Sequence, residues 1–262
     1  ETKLYKKFAG GQHIPNIHWY GKEKLYNVMV IDLLGKSIEY FFRKNNKKLS
    51  LKTVLMLIDQ MLSAIEYIHS KNYIHRDIKP ENFVMGIGEN VSNLYIIDYG
   101  LSNRYRSCST NDHIKFAEEK TFIGTAIYGS IRALRGKEQS RRDDLEALGY
   151  VWIYLLKGSL PWIGVTARTI EEEYQIIADM KENTPIRELV KGLPEEFVTY
   201  MKHVRKLGFE ETPNYSMLRD LFKQVFAREK FSNDLVFDWT LQKVTLSKEN
   251  IAPFIENQIT EN

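Results

Sequence analysis

Between residues 51 and 68, apolar side chains return every three or four positions: Leu51, Val54, Leu55, Ile58, Met61, Leu62, Ile65 and Ile68. That spacing collects them on one wide stripe of an α-helix, and Ser50, just before it, supplies a hydroxyl able to cap the first turn. Upstream, Thr2 to Phe8 reads as a helix end stopped by Gly10 and Gly11. IHWYG and YNVMVIDLL read as two strands; the second is a continuous apolar run, as a buried strand carries, and it breaks at Gly35. After the long helix, Pro80 forbids helical continuation, which predicts a loop from Ile74 to Asn82. FVM and LYII, separated by GIGENVSN, predict a hairpin that ends in Asp98, Tyr99 and Gly100.

From there the pattern turns helical. LEALGYVWIYLLKG is apolar on nearly every face and predicts a helix buried all round. Helical periodicity continues over 168–181, 186–191, 195–207 and 215–228, with Pro194 and Pro213 in the breaks. No internal repeat or low-complexity linker interrupts the chain. The expected class is α+β: a small strand-containing part over 1–34, a large and mainly α-helical part over 35–240, and an extension over 241–262.

Composition narrows this picture. Hydrophobic residues make up 43% and charged residues 27% of the 262 positions, which implies a packed core. Lys and Arg number 37 against 34 Asp and Glu, a net charge of +3 that argues against a dedicated nucleic-acid binder. The single cysteine, Cys108, cannot form an internal disulfide, so an intracellular, reducing compartment is expected, cytoplasmic by default. It lies in the polar run RSCSTND and reads as a surface thiol, not a nucleophile. No apolar run is long enough for a membrane span, and ETKLYKK lacks the apolar segment of a signal peptide.

Candidate chemistry concentrates in YIHRDIKPENFVMG, residues 73–86. Asp77 sits in the predicted loop, two residues before Lys79 and five before Asn82, and Asp98 ends the hairpin. A carboxylate can accept a hydroxyl proton, a lysine can neutralise a transferring phosphoryl group, and an Asn oxygen with a second carboxylate suits a hard cation such as Mg²⁺. Positioning and charge neutralisation are what phosphoryl transfer needs.

His75-Arg76-Asp77, Asn82 and Asp98-Tyr99-Gly100 stand at the spacing of the protein-kinase signature. The chain resembles eukaryotic-type protein kinases and, more narrowly, the casein kinase 1 family. ETKLYKKFAGGQHIPNIHWYG, YNVMVIDLLGKSIE, LYIIDYGLSNRYR, SRRDDLEALGYVWIYLLKGSLPW and LVFDW carry that narrower likeness, as does Ser130-Ile131-Arg132 where most kinases have Ala-Pro-Glu. The resemblance implies a bilobal fold and an ATP- and Mg²⁺-dependent transferase acting on Ser and Thr of protein substrates in acidic contexts. It implies that Asp77 is the base, that Lys79 steadies the γ-phosphate, and that Asn82 and Asp98 hold the metal. Asp144 would hydrogen-bond the catalytic-loop backbone, and its place at the start of a helix also reads as an N-cap. Asp32 and Leu34 would offer backbone groups to adenine, Ile31 would gate the rear of its pocket, and Val84 would form its floor. Glu1 matches the helix glutamate that pairs with a strand lysine.

That lysine and the glycine-rich phosphate loop would precede Glu1. The expectation is that this chain is part of a catalytic domain whose first strands lie upstream. The alternative is a catalytically inactive relative that serves as a binding or scaffold module. On the substrate side the resemblance implies an anion pocket at Arg104 and Arg106, with Lys115, Lys120, Arg135 and Lys137 adding to the field. Two departures work against it: Glu171, Glu172 and Glu173 replace a basic cluster, and Ile127 stands where relatives carry a basic residue. Substrates already phosphorylated near the acceptor are therefore expected to gain less here than in typical relatives.

Overall fold

The computed structural model describes residues 1–240; the extension predicted over 241–262 lies outside the described residues. Helix α1 (Thr2–Phe8) leads into an antiparallel pair, β1 (Ile17–Glu23) and β2 (Tyr26–Ile31). Strand β2 differs from expectation in two ways. It ends at Ile31, leaving 32–36 extended outside the sheet, and it is largely exposed. The cause is the sheet: α1 supports one face, and among the described residues no layer covers Trp19, Tyr26 and Val30 on the pair. Gly35 does not break a strand. It lets the chain pass beside the next hairpin, because a Cβ there would lie 2.9 Å from the Gly86 carbonyl oxygen.

Beyond Gly35 come α2 (Ile38–Lys44), which the sequence pattern did not reveal, and α3 (Leu51–Ser70). Ser50 caps α3 as expected, its hydroxyl accepting from the Thr53 N–H. Asp238, far away in sequence, accepts from both the N–H and the hydroxyl of Ser50 at 2.7 and 2.6 Å, and so ties its own segment onto the same helix start. Beside it Trp239 stacks on Phe41. After α3 come β3 (Tyr73–Ile74), the loop with a 3₁₀ turn over Pro80–Asn82, and the predicted hairpin, β4 (Phe83–Met85) with β5 (Leu94–Ile96). Strand β6 (Asn103–Arg104) returns to pair with β3.

The remainder is helical: α4 (Ile131–Leu134), α5 (Arg141–Lys157), α6 (Ile170–Asn183), α7 (Ile186–Leu189), α8 (Glu195–Lys206) and α9 (Tyr215–Arg228). The buried helix of the sequence pattern is α5, which packs against α3 and α8. It starts at Arg141, a turn before the apolar run, and its N-cap is Ser140, so Asp144 is not the cap. The N3 residue Asp143 does that work, accepting from the Ser140 N–H at 2.7 Å and the Ser130 hydroxyl at 2.5 Å. Burial pushes the Asp143 carboxyl up to about 6 against those hydrogen bonds.

Candidate active site

Helix α3 and helix α5 together fix the loop between β3 and β4. Asp144, buried in the first turns of α5, turns both carboxylate oxygens toward it. One accepts from the His75 N–H at 2.7 Å and from His69 Nε2 at 2.9 Å; the other accepts from the Arg76 N–H at 2.9 Å. Desolvation pushes this carboxyl up, but the His69 hydrogen bond and the surrounding donors win and hold it below the usual range. His69 in turn accepts the Tyr215 hydroxyl at 2.6 Å, which links α9 to the same carboxylate. Arg76 adopts a left-handed backbone with φ of 68°, an unfavourable state for a side chain of its size that the two hydrogen bonds around it sustain.

The residue after this strained position is Asp77, and its buried carboxylate is the meeting point of the loop. Oδ2 accepts from Lys79 Nζ at 2.6 Å, and Oδ1 accepts from the Thr125 hydroxyl at 2.7 Å. The Asn82 amide donates to the Asp77 carbonyl at 2.9 Å and to Oδ2 at 3.3 Å. Donation through Nδ2 leaves Asn82 Oδ1 uncommitted. Thr125 reaches Asp77 because Gly124 has φ of 125° and no side chain; a Cβ there would meet the Arg76 carbonyl oxygen at 2.4 Å.

Asp98 is brought beside Asn82 by the backbone of its neighbour. The Ile97 N–H donates to the Asn82 carbonyl at 2.9 Å, while the Ile97 carbonyl accepts from His75 Nε2 at 3.2 Å. His75 Nδ1 accepts the Asp77 N–H, which assigns the ring proton to Nε2. Desolvation lowers the pKa of this fully buried imidazole and keeps it neutral. Tyr99, fully buried, packs edge-on against Tyr5 and Phe8 of α1 and against His75. With Tyr99 inward, Asp98 is left exposed, and among the described residues its Oδ1 accepts only the Gly100 N–H at 3.2 Å. The uncommitted oxygens of Asn82 and Asp98 are hard donors that fit a divalent cation. Among the described residues no cluster of three or more His, Cys, Asp or Glu could cage a metal alone. A cation there would need further ligands that these two residues do not supply.

On the nucleotide side, the extended segment 32–36 runs beside β4: the Gly35 N–H donates to the Met85 carbonyl at 2.7 Å, and Ser37 bridges Val84. This sets the segment that contains Leu34 alongside the strand that carries Val84. The Asp32 carboxylate is saturated by Asn16 and His18, and its N–H donates to the Asn16 carbonyl, so the segment is braced onto β1. Among the described residues the Asp32 carbonyl and the Leu34 N–H make no backbone hydrogen bond, which fits the pairing of an adenine edge. Ile31 is half-buried at the end of β2. Glu1 is exposed, and among the described residues it makes no ion pair.

The expected anion field is weaker than the sequence implies. Arg104 Nε donates to the Arg106 carbonyl, and Arg106 Nη1 donates to the Asn111 carbonyl at 2.8 Å. Both arginines are bent onto their own segment with donors to spare. Lys120, Lys137 and Arg135, expected to add to the field, each have a carboxylate beside them: Lys120 pairs with Glu138, Lys137 with Glu118, and Arg135 with Asp179 and Glu182. Lys115 forms no ion pair among the described residues. Glu171, Glu172 and Glu173 occupy the first turn of α6, where the helix dipole favours carboxylates.

Sequence reasoning missed Thr125, His69 and Tyr215, none of which stands out by periodicity or by composition. The family whose sequence model matches this chain is the protein kinase domain, over residues 1–235.

Proposed function

We propose that this chain, which belongs to the protein kinase family, transfers the γ-phosphoryl group of ATP to Ser and Thr hydroxyls of protein substrates. Family membership carries the coarser statement: ATP, a divalent cation and a protein acceptor. The observation that carries the finer one is the Asp77 carboxylate, with Lys79 on one oxygen and Thr125 on the other. The acceptor hydroxyl oxygen forms a bond to the γ-phosphorus as the bond to the β-phosphate oxygen breaks, and its proton passes to Asp77. Lys79 is long enough to leave Asp77 for the transferring group and to offset the charge that develops there.

Asn82 and Asp98 are the residues that would hold Mg²⁺, which when bound neutralises the phosphate oxygens. Asp32 and Leu34 would take the adenine edge by their carbonyl and N–H, with Val84 below the ring, Ile31 behind it, and the nucleotide between the parts 1–34 and 35–240. Glu1 would be the helix glutamate that pairs with a strand lysine. Arg104 and Arg106, whose unused N–H groups remain, would favour acidic residues near the acceptor, and the likeness to casein kinase 1 supports both that context and the Ser/Thr acceptor.

The test is phosphotransfer from labelled ATP to Ser- and Thr-containing peptides by the full-length protein, with Asp77→Asn beside it. The expected result is a rate lower by about 10²- to 10⁴-fold in the variant, with nucleotide affinity retained. Equal rates would remove Asp77 from the role of base, and no transfer by either protein would overturn the catalytic reading.

A further inference from the structure

Lys181 lies in α6 between Met180 and Glu182, and its neighbours in sequence give no reason to bury a cation there. Its side chain nevertheless has no exposed surface. Lysine is almost never buried without a compensating partner, because desolvating an ammonium is costly. Among the described residues no carboxylate lies within ion-pair distance of it. Burial pulls its pKa well below the ordinary lysine value, and Glu146, which opposes that from farther off, is engaged by the Tyr150 hydroxyl, the Ile131 N–H and the Arg205 guanidinium.

What holds the Lys181 ammonium is backbone and aromatic faces. Nζ donates to the Ala126 carbonyl at 2.9 Å and to the Gly129 carbonyl at 2.5 Å. The ring centroids of Tyr150 and Trp162 lie 4.6 and 5.0 Å away, within cation–π range. Trp162 adds a third tether, its indole N–H donating to the Ile127 carbonyl at 2.8 Å. The tethered residues form a closed turn, in which the Thr125 carbonyl accepts from both the Tyr128 and Gly129 N–H groups. A methionine of similar length would fill the same space without a buried charge. The amine is therefore explained by the carbonyls it orients.

The top of this turn is Thr125, whose hydroxyl holds Asp77 Oδ1. We infer that Lys181 is a positioning residue for phosphotransfer to protein: it fixes the turn 125–129 from beneath, and through Thr125 it fixes the Asp77 carboxylate and the surface that meets the acceptor segment. The inference rests on the kinase reading for its kinetic consequence and on the structure alone for the tether.

The experiment compares full-length wild type, Lys181→Met, Thr125→Ala and the double variant. Acting through the turn, Lys181→Met should lower kcat/KM for a peptide acceptor by roughly 10- to 100-fold, with ATP affinity changed by less than about twofold. The double variant should lose little more than the worse single one, because the two residues act on the same carboxylate. Hydrogen exchange at the Tyr128 and Gly129 amides should speed by about tenfold or more in Lys181→Met, while the α3 and α9 amides keep their protection. Unchanged peptide kinetics, additive losses, or unchanged exchange in the turn would each overturn the inference. Should Lys181→Met loosen the whole domain, Trp162→Phe decides: it keeps a ring beside the ammonium and removes only the Ile127 tether. It should show the same selective loss in smaller measure, and full peptide activity would overturn the tethering role. Absence of phosphotransfer in the wild type would sink the kinase reading, while the exchange measurement would still decide for or against the tether.

Discussion

Replacing Asp144 by Asn removes a charge and one acceptor from the centre of the loop scaffold while keeping the shape. The carboxylate accepts three hydrogen bonds, from His75 N–H at 2.7 Å and from His69 Nε2 and Arg76 N–H at 2.9 Å each. The amide does best by keeping its oxygen toward His75 and His69, which turns its NH₂ group toward the Arg76 N–H. One charge-assisted bond is lost, about 1.5–3 kcal/mol, and a buried donor then faces a donor, about 1–3 kcal/mol more. Relaxation of the left-handed Arg76 backbone, φ of 68°, returns about 1 kcal/mol. The net loss is about 1.5–5 kcal/mol, which lowers Tm by about 3–20 °C for a domain of this size. Arg76 precedes the expected base, so its peptide no longer sets Asp77, and kcat should fall by about 100-fold. Calorimetry and steady-state kinetics on Asp144→Asn read the two effects separately. Melting within about 2 °C of wild type together with full kcat would refute the scaffold argument. A stability loss with kcat intact would reduce Asp144 to a residue of the core.

Acid sensitivity follows from the imidazoles. His13, His69 and His75 are buried, and desolvation first of all holds each below its ordinary value of 6.5. The unfolded chain therefore takes up protons that the folded one refuses, so stability is full above about pH 6.5 and is lost as pH falls below it, by about 1.4 kcal/mol per pH unit for each such proton. Asp143, raised to about 6, works in the opposite sense as pH falls toward 3.8 and softens the loss. Urea midpoints at about pH 7.5 and about pH 5.5 should differ with the lower pH less stable; equal midpoints would contradict neutral buried imidazoles. On the substrate side, a phosphoprimed peptide should gain less than about tenfold in kcat/KM over an acidic unprimed one, given the paired outer cations and the carboxylates of α6. A large advantage for the primed peptide would refute that reading.

What was legible in the sequence is what depends on neighbours along the chain. The apolar stripe of α3, the Ser50 cap, the loop around Pro80 and the β4–β5 hairpin are local patterns, and each lies where periodicity puts it. The loop set of Asp77, Lys79 and Asn82 is local too, and the three side chains meet. Strand β2 was misjudged because a continuous apolar run reports composition, whereas burial depends on which layers cover it. Helix α2 was missed because IEYFFRK is too short for its period to declare itself.

The remaining errors share one cause. Asp143 and Asp144 are adjacent acids in one helix, yet one closes the helix start and the other holds a loop almost seventy positions upstream. Only the resemblance assigned Asp144 to the loop backbone, as the structure has it; periodicity and composition near SRRDD do not separate the two acids, because the discriminating partners, Ser140 N–H for one and His75 N–H for the other, differ only in three dimensions. Lys181 is the extreme case. Between Met180 and Glu182 it reads as one more solvated charge, and only the carbonyls of Ala126 and Gly129 give it a reason to be inside. Buried polar groups must find partners, and those partners are seldom neighbours in sequence. The residues assigned to the chemistry of the loop can therefore be read from the chain, whereas of those that hold it in place only Asp144 was, by resemblance, and His69, Thr125 and Lys181 had to be found in the fold.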